Sequence, residues 1–209
     1  MSIAENPLTG PMRKSMGNFT MYSYNGLNIV RSKATRHRDA KTEKQLSNRE
    51  RMTVVAEMYR AFSSIIALGF PEDREGKAPQ NMFVSANFSS AFIMAGNKPV
   101  ISYPRLLVAK GSLPAVTVTE AFTDASGITV RYDAEDTFPD VTPTDEIVGC
   151  AWLKTGELLI ARQMMGFETM GTVLLKYPNL KATDVTACYV FVLRGDGTKA
   201  SNSVWVEVT

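Results

Sequence analysis

The stretch that decides the fold is Glu146-Ile147-Val148-Gly149-Cys150-Ala151-Trp152-Leu153-Lys154, followed by Thr155-Gly156 and then Glu157-Leu158-Leu159-Ile160-Ala161. Two β-prone runs flank a dipeptide whose glycine suits a tight turn, which reads as an antiparallel pair. Outward from this pair the rhythm repeats. Strands are expected at Ala115–Phe122, Ile128–Asp133, Thr172–Lys176, Val185–Arg194 and Ser203–Val208. Turn signals separate them: Ser126-Gly127, Pro139 to Pro143, Pro178-Asn179 and Asp196-Gly197. Seven short strands in about 95 residues is the arithmetic of a β-sandwich. Trp152 on the third strand and Tyr189 on the sixth suit its core.

Upstream the pattern differs. Pro7, Gly10 and Pro11 oppose helix and strand, so residues 1–15 are expected to be irregular. Phe19 to Tyr24, then Asn25-Gly26, then Leu27 to Arg31 reads as a hairpin. An isolated hairpin is marginal in water, so this one needs a further surface. A basic connector, Ser32 to Ala40, follows. Thr42 and Gln45 have capping-box spacing, and a helix is expected from Glu43 to about Leu68, with Val54, Val55, Met58, Phe62, Ile65 and Ile66 on one stripe. Gly69 and Pro71 stop it. A second helix is expected from Gln80 to Ala95, then short strands at Val100–Tyr103 and Leu106–Lys110. The expected class is α+β, an N-terminal hairpin and two helices followed by an all-β sandwich, with domains at 1–112 and 113–209.

The chain has 209 residues, 44% hydrophobic and 21% charged, which excludes a disordered chain or a disulfide-packed mini-protein. The net charge of +2 implies no nucleic-acid partner by itself, but it is unevenly spread. Residues 1–60 hold 11 Lys/Arg against 5 Asp/Glu, and the remainder is net acidic. Arg31, Lys33, Arg36, Arg38, Lys44, Arg49 and Arg51 form the dense part, and they are the expected partner-binding residues. Arginine suits this task because it bonds carboxylates in a bidentate fork.

Little points to catalysis. Neither GxGxxG nor GxxxxGK[ST] occurs. His37, Cys150 and Cys188 lie far apart and fall short of a four-ligand zinc site. The only histidine sits in an arginine-rich segment, away from any serine elbow. No enzyme activity, cofactor or metal is expected. The acidic run Asp133, Glu135, Asp136, Asp140, Asp145 and Glu146 reads as a solvated loop, without the glycine of an EF-hand. Arg194-Gly195-Asp196 spells an adhesion tripeptide but reads as a turn. Cys150 and Cys188 fall on neighbouring strands of one sheet and are expected to be buried free thiols. Phe19, Tyr22 and Tyr24 beside the basic segment permit stacking on single-stranded nucleic acid, although period-two aromatics on a hairpin usually pack. The first residues lack the basic head and apolar run of a signal peptide, and no stretch approaches about 18 apolar residues, so a cytoplasmic site of synthesis without membrane contact is expected.

Two resemblances add to this. Tyr189-Val190-Phe191-Val192-Leu193, a loop, then Ser201-Asn202-Ser203-Val204-Trp205-Val206 is similar to the last hairpin of a fibronectin type III or immunoglobulin-like module. Across nearly the whole chain, Gly10 and Gly17, Asn25 to Arg31, Lys41 to Gln45 before Arg49 and Arg51, Val108 to Leu113 and Ser201 to Val204 resemble an uncharacterised family of Bacteroidota and their phages. Tyr24 stands where that family has tryptophan, and the connector lacks its asparagine-proline. The resemblance carries no catalytic residues. It implies a small protein built from an N-terminal hairpin-and-helix unit and a C-terminal β-sandwich, at home in a virion. Together with the basic arm and the lack of catalytic chemistry, the expected function is a non-enzymatic structural component of a large assembly, foremost a bacteriophage virion (tail, connector or capsid-associated), made in the host cytoplasm, anchored through the arm and partnered by its own copies and other structural proteins. The alternatives are a nucleic-acid-associated protein using the basic arm, and an adhesin or carbohydrate-binding module using the sandwich loops, which would need a secretion route.

Overall fold

The computed structural model describes residues 2–3, 14–24, 27–33, 41–71, 77–96, 98–137 and 140–209. The chain divides into two compact units, residues 1–42 and 43–209. The division expected at 112/113 is found instead at 42/43, because the helices share an apolar cluster with strands of the sandwich.

The first unit is a four-stranded antiparallel sheet: β1 (Ser2–Ile3), β2 (Lys14–Met16), β3 (Phe19–Tyr24) and β4 (Leu27–Ser32), in the order β1-β4-β3-β2. The expected hairpin is its centre. Tyr24 pairs with Leu27, which leaves a two-residue connection; Asn25 and Gly26 themselves lie outside the described residues. The irregular segment expected over 1–15 instead contributes both edge strands. At two and three residues they are too short to show an alternating pattern. Gly17, at φ +56°, makes the tight β2–β3 turn.

The second unit begins with α1 (Glu43–Ala61), α2 (Ser63–Gly69) and α3 (Pro79–Asn87). The single helix expected over 43–68 breaks at Phe62, whose backbone leaves the helical region at φ −102°, ψ 15°. Its ring is fully buried, 5.3 Å from Trp152 and 6.2 Å from Tyr189, so a tertiary contact outweighs helix continuity. The helix expected over 80–95 ends at Asn87 for a polar reason. The buried Asn87 amide donates to the Phe83 and Leu107 carbonyls at 3.0 and 2.9 Å, and its Oδ1 accepts the Leu107 N–H at 2.8 Å. The chain then forms a hairpin, β5 (Phe92–Ala95) with β6 (Lys98–Ile101). Leu106–Lys110, expected as a strand, bends at Val108 and belongs to no sheet; it is held by Asn87 and by the segment before the last strand.

The seven sandwich strands follow: β7 (Thr117–Asp124), β8 (Gly127–Asp133), β9 (Glu146–Leu153), β10 (Leu158–Met164), β11 (Met170–Lys176), β12 (Val185–Leu193) and β13 (Val204–Val206). All are antiparallel, in two sheets of order β11-β8-β7 and β10-β9-β12-β13. Side chains alternate across β12. Cys188, Val190 and Val192 face the other sheet, and Ala187, Tyr189, Phe191 and Leu193 face the helices. The four-stranded sheet is thus covered on both faces, which explains why β9 and β12 read as near-continuous apolar runs. At the helix–sheet junction Gly69 is required by space: a Cβ there would lie 2.3 Å from the Val108 carbonyl oxygen. Among the described residues no helix is long and apolar enough to cross a membrane.

Replacing Asn87 by Ala strands the Leu107 N–H and carbonyl in a half-buried site. The expected loss of unfolding free energy is about 2–3 kcal/mol, read by urea denaturation; an unchanged midpoint would show that water replaces the amide.

Candidate interaction site

The basic residues do not all serve the same end. Arg31 lies on β4 with its guanidinium 5.6 Å from the Tyr22 ring centre, an exposed cation–π pair. Lys33 follows the strand and donates its backbone N–H to the Asn18 carbonyl at 2.6 Å, leaving its side chain exposed. Arg36 and Arg38, with His37, lie outside the described residues. Lys44 and Arg49 are exposed on α1. Arg51 is drawn inward: its guanidinium sits 5.9 Å from the Phe92 ring centre and its Nη2 3.8 Å from the Met94 sulfur. The Arg51 side chain thus serves the packing of its own unit, between α1 and the β5–β6 hairpin.

The sheet that carries Arg31 has an unusual balance. Among its described residues 15–24 and 27–33 none is buried. Cross-strand register places Met16, Phe19, Met21 and Val30 on one face and Tyr22, Tyr24, Leu27 and Ile29 on the other. Phe19 is 51% exposed, and Met16, Tyr24 and Leu27 are also open. A sheet with apolar side chains on both faces and none buried gains little of the hydrophobic free energy that holds domains together.

A second feature lies wholly within the larger unit. Val108–Leu113 runs beside Ser201–Val204, the two stretches that carry much of the family resemblance. The Val108 N–H donates to Ser203 Oγ at 3.0 Å, the Ser203 N–H to the Ala109 carbonyl at 3.1 Å, and the Leu113 N–H to the Ala200 carbonyl at 3.0 Å. Beside this joint is an open cavity of about 470 Å³, with Phe70, Met82 and Ala86 on its wall and Lys77 and Lys110 at its edge. Sequence reasoning missed it because its wall is assembled from α3 and a loop that were expected to be separate elements.

The acidic run is divided: Glu135, Asp136 and Asp140 are exposed, whereas Asp145 and Glu146 are taken up by structure. Asp145 is fully buried and accepts from the Thr142 N–H (2.8 Å), the Gly195 N–H (3.1 Å) and Arg194 Nη1 (3.1 Å). Arg194 also donates to the Asp140 carbonyl, so the Arg194-Gly195-Asp196 tripeptide is a clamped turn with its arginine turned inward. Asp196 caps its own turn through the Thr198 N–H and hydroxyl, which lowers its carboxyl below the ordinary aspartate range. Glu146 pairs with Arg162 at 2.6 Å. Among the described residues no three His, Cys, Asp or Glu side chains converge as a metal site. Cys150 and Cys188 are free and buried on adjacent strands, one facing the helices and the other the second sheet.

A family model described as "Family of unknown function (DUF6266)" matches residues 11–207. The chain belongs to this family. The match takes in strands of the N-terminal sheet, the helices and the whole sandwich, so both units belong to the DUF6266 unit. No curated protein and no solved structure matches the chain.

Three outcomes are expected from this member of DUF6266. Replacing Asp145 by Ala leaves Arg194 and two backbone donors without their acceptor and should cost about 3 kcal/mol; thermal melting would show it, and an unshifted transition would mean the clamp is dispensable. Burial holds both thiols protonated, with Cys188 pushed up to about 12 and Cys150 well above its ordinary value. Native protein at pH 8 should therefore not react with an aromatic disulfide reagent, and unfolded protein should release two thiols per chain. Because the folded values are raised, stability is intact below the unfolded thiol value near pH 9 and falls above it, as the unfolded chain loses protons first.

Proposed function

We propose that the protein is a non-enzymatic structural subunit of a large assembly, a bacteriophage virion in the reading its family resemblance favours, and that its N-terminal unit is the anchor. The observation that carries this reading is the four-stranded sheet with apolar side chains on both faces and no buried residue among those described. Such a sheet becomes stable when neighbours cover it. Arg31 and Lys33 at its margin, with Arg36 and Arg38 in the following connector, would then meet acidic groups on those neighbours. The larger unit needs no such help, since two apolar clusters fill both sides of its central sheet. The copies themselves and other proteins of the particle are the partners this reading names.

The test is native mass by light scattering at low and high salt, with hydrogen exchange on the same samples. The expected result is a salt-sensitive oligomer in which residues 14–33 are protected, and a loss of both in Phe19→Asp and in Arg36→Glu/Arg38→Glu. A monomer at both salts, with residues 14–33 as protected as β12, would overturn the reading. Binding of single-stranded DNA by the full chain, abolished by the same charge reversal, would move the arm to nucleic acid instead.

A further inference from the structure

The most exposed large apolar side chain of the described residues is Phe167, at 90%. It stands in the turn Met165–Thr169 between β10 and β11, flanked by Met164 and Met170, at 62% and 66%. This turn is pinned. Met165 is buried and donates its N–H to the Asp145 carbonyl at 2.9 Å. Gly166, at φ +70°, donates to the Pro143 carbonyl at 3.1 Å, and the Thr169 carbonyl accepts the Ala134 N–H at 2.7 Å. Phe167 is thus presented from a fixed base, with the carboxylate of Glu168 exposed beside it. Presenting an aromatic ring from an ordered turn lowers the entropy lost on docking it elsewhere.

The same unit holds a receptor of matching chemistry. The cavity beside α3 offers an apolar wall, Phe70, Met82 and Ala86, and two exposed lysines, Lys77 and Lys110. Its volume of about 470 Å³ accepts a phenylalanine ring with room for the neighbouring side chain. Knob and cavity cannot meet within one chain. The knob follows β10, one edge strand of the four-stranded sheet, and the cavity adjoins the segment leading into β13, the other edge strand.

We propose that Phe167 of one copy inserts into the Lys77/Lys110 cavity of a second copy, with Glu168 meeting the two lysines. Knob and receptor are different surfaces, so the contact is head-to-tail and repeats around a ring or along a filament. This deepens the assembly reading above by naming a copy-to-copy contact separate from the N-terminal sheet.

The experiment uses the full chain with added surface cysteines, the buried native thiols staying silent. Thr169→Cys chains, which keep Phe167 and Glu168 and carry the thiol at an exposed position of the same turn, and Ser85→Cys chains, differently tagged, are mixed at high concentration under mild oxidation; Ser85 lines the cavity. Disulfide-linked heterodimers should form in several-fold excess over a mixture of Thr169→Cys with Thr155→Cys, an exposed turn position on another loop. Equal yields overturn the proposal. In a second arm, Lys77→Glu/Lys110→Glu should lower the native mass and Glu168→Lys in the same chain should restore it; a mass that neither change moves also overturns it. Loss of mass in Phe19→Asp with no effect of the cavity variants would reject this contact while leaving the N-terminal anchor standing, and the reverse pattern would do the opposite.

Discussion

Everything in the larger unit depends on covering both faces of one antiparallel sheet. β12 is buried from Ala187 to Leu193, and its alternate side chains enter two different cores. Cys188, Val190 and Val192 meet the β7-β8-β11 sheet, and Tyr189 and Phe191 meet the helices. A sheet with one solvated face would have left Trp152, Tyr189 and Phe191 in water. Burying a large aromatic side chain is worth roughly 1.5–3 kcal/mol, so the helical layer is part of the folding unit and not an appendage. The Tyr189 hydroxyl shows how closely the layers are matched: buried at the junction, it donates to the Tyr103 carbonyl at 2.9 Å and so is not itself stranded there.

That constraint also explains which parts of the fold were legible in the sequence. All seven sandwich strands were readable, because turn dipeptides bracket them and their β-branched runs are long enough to show. The layering was not. An apolar run on β9 or β12 says that both faces are buried but not by what, so a boundary at residue 112 looked natural. Helix ends failed where tertiary contacts took over: Phe62 breaks α1 from α2 to seat its ring against Trp152, and Asn87 ends α3 by taking the backbone of Leu107. Neither event leaves a local signature.

The candidate site divides the same way. Charge was legible, because lysine and arginine counts need no fold. Its use was not, since Arg51 looks like its neighbours in sequence yet packs on Phe92 and Met94. The acidic run and the Arg-Gly-Asp tripeptide illustrate the converse. Asp145 and Arg194 sit 49 positions apart, and the bond between them converts two suggestive motifs into a single structural clamp. A Cβ on Gly195 would fall 2.5 Å from the Thr144 carbonyl oxygen, so the glycine belongs to the clamp as well.

The two units therefore differ in how they meet the cost of ordering a chain. Fixing a residue's backbone costs about 1–2 kcal/mol, and the larger unit offsets this with two apolar clusters of its own. The N-terminal sheet has hydrogen bonds between strands but no buried side chain among its described residues, and backbone hydrogen bonds contribute only about 1 kcal/mol each against water. Apolar side chains on both of its faces make a free, solvated sheet a poor resting state. Under the proposed anchoring, its order is tied to the neighbours that cover it, and the chemistry of that cover would follow from the residues it meets: an apolar surface for Phe19 and Tyr24, and carboxylates for Arg31 and Lys33.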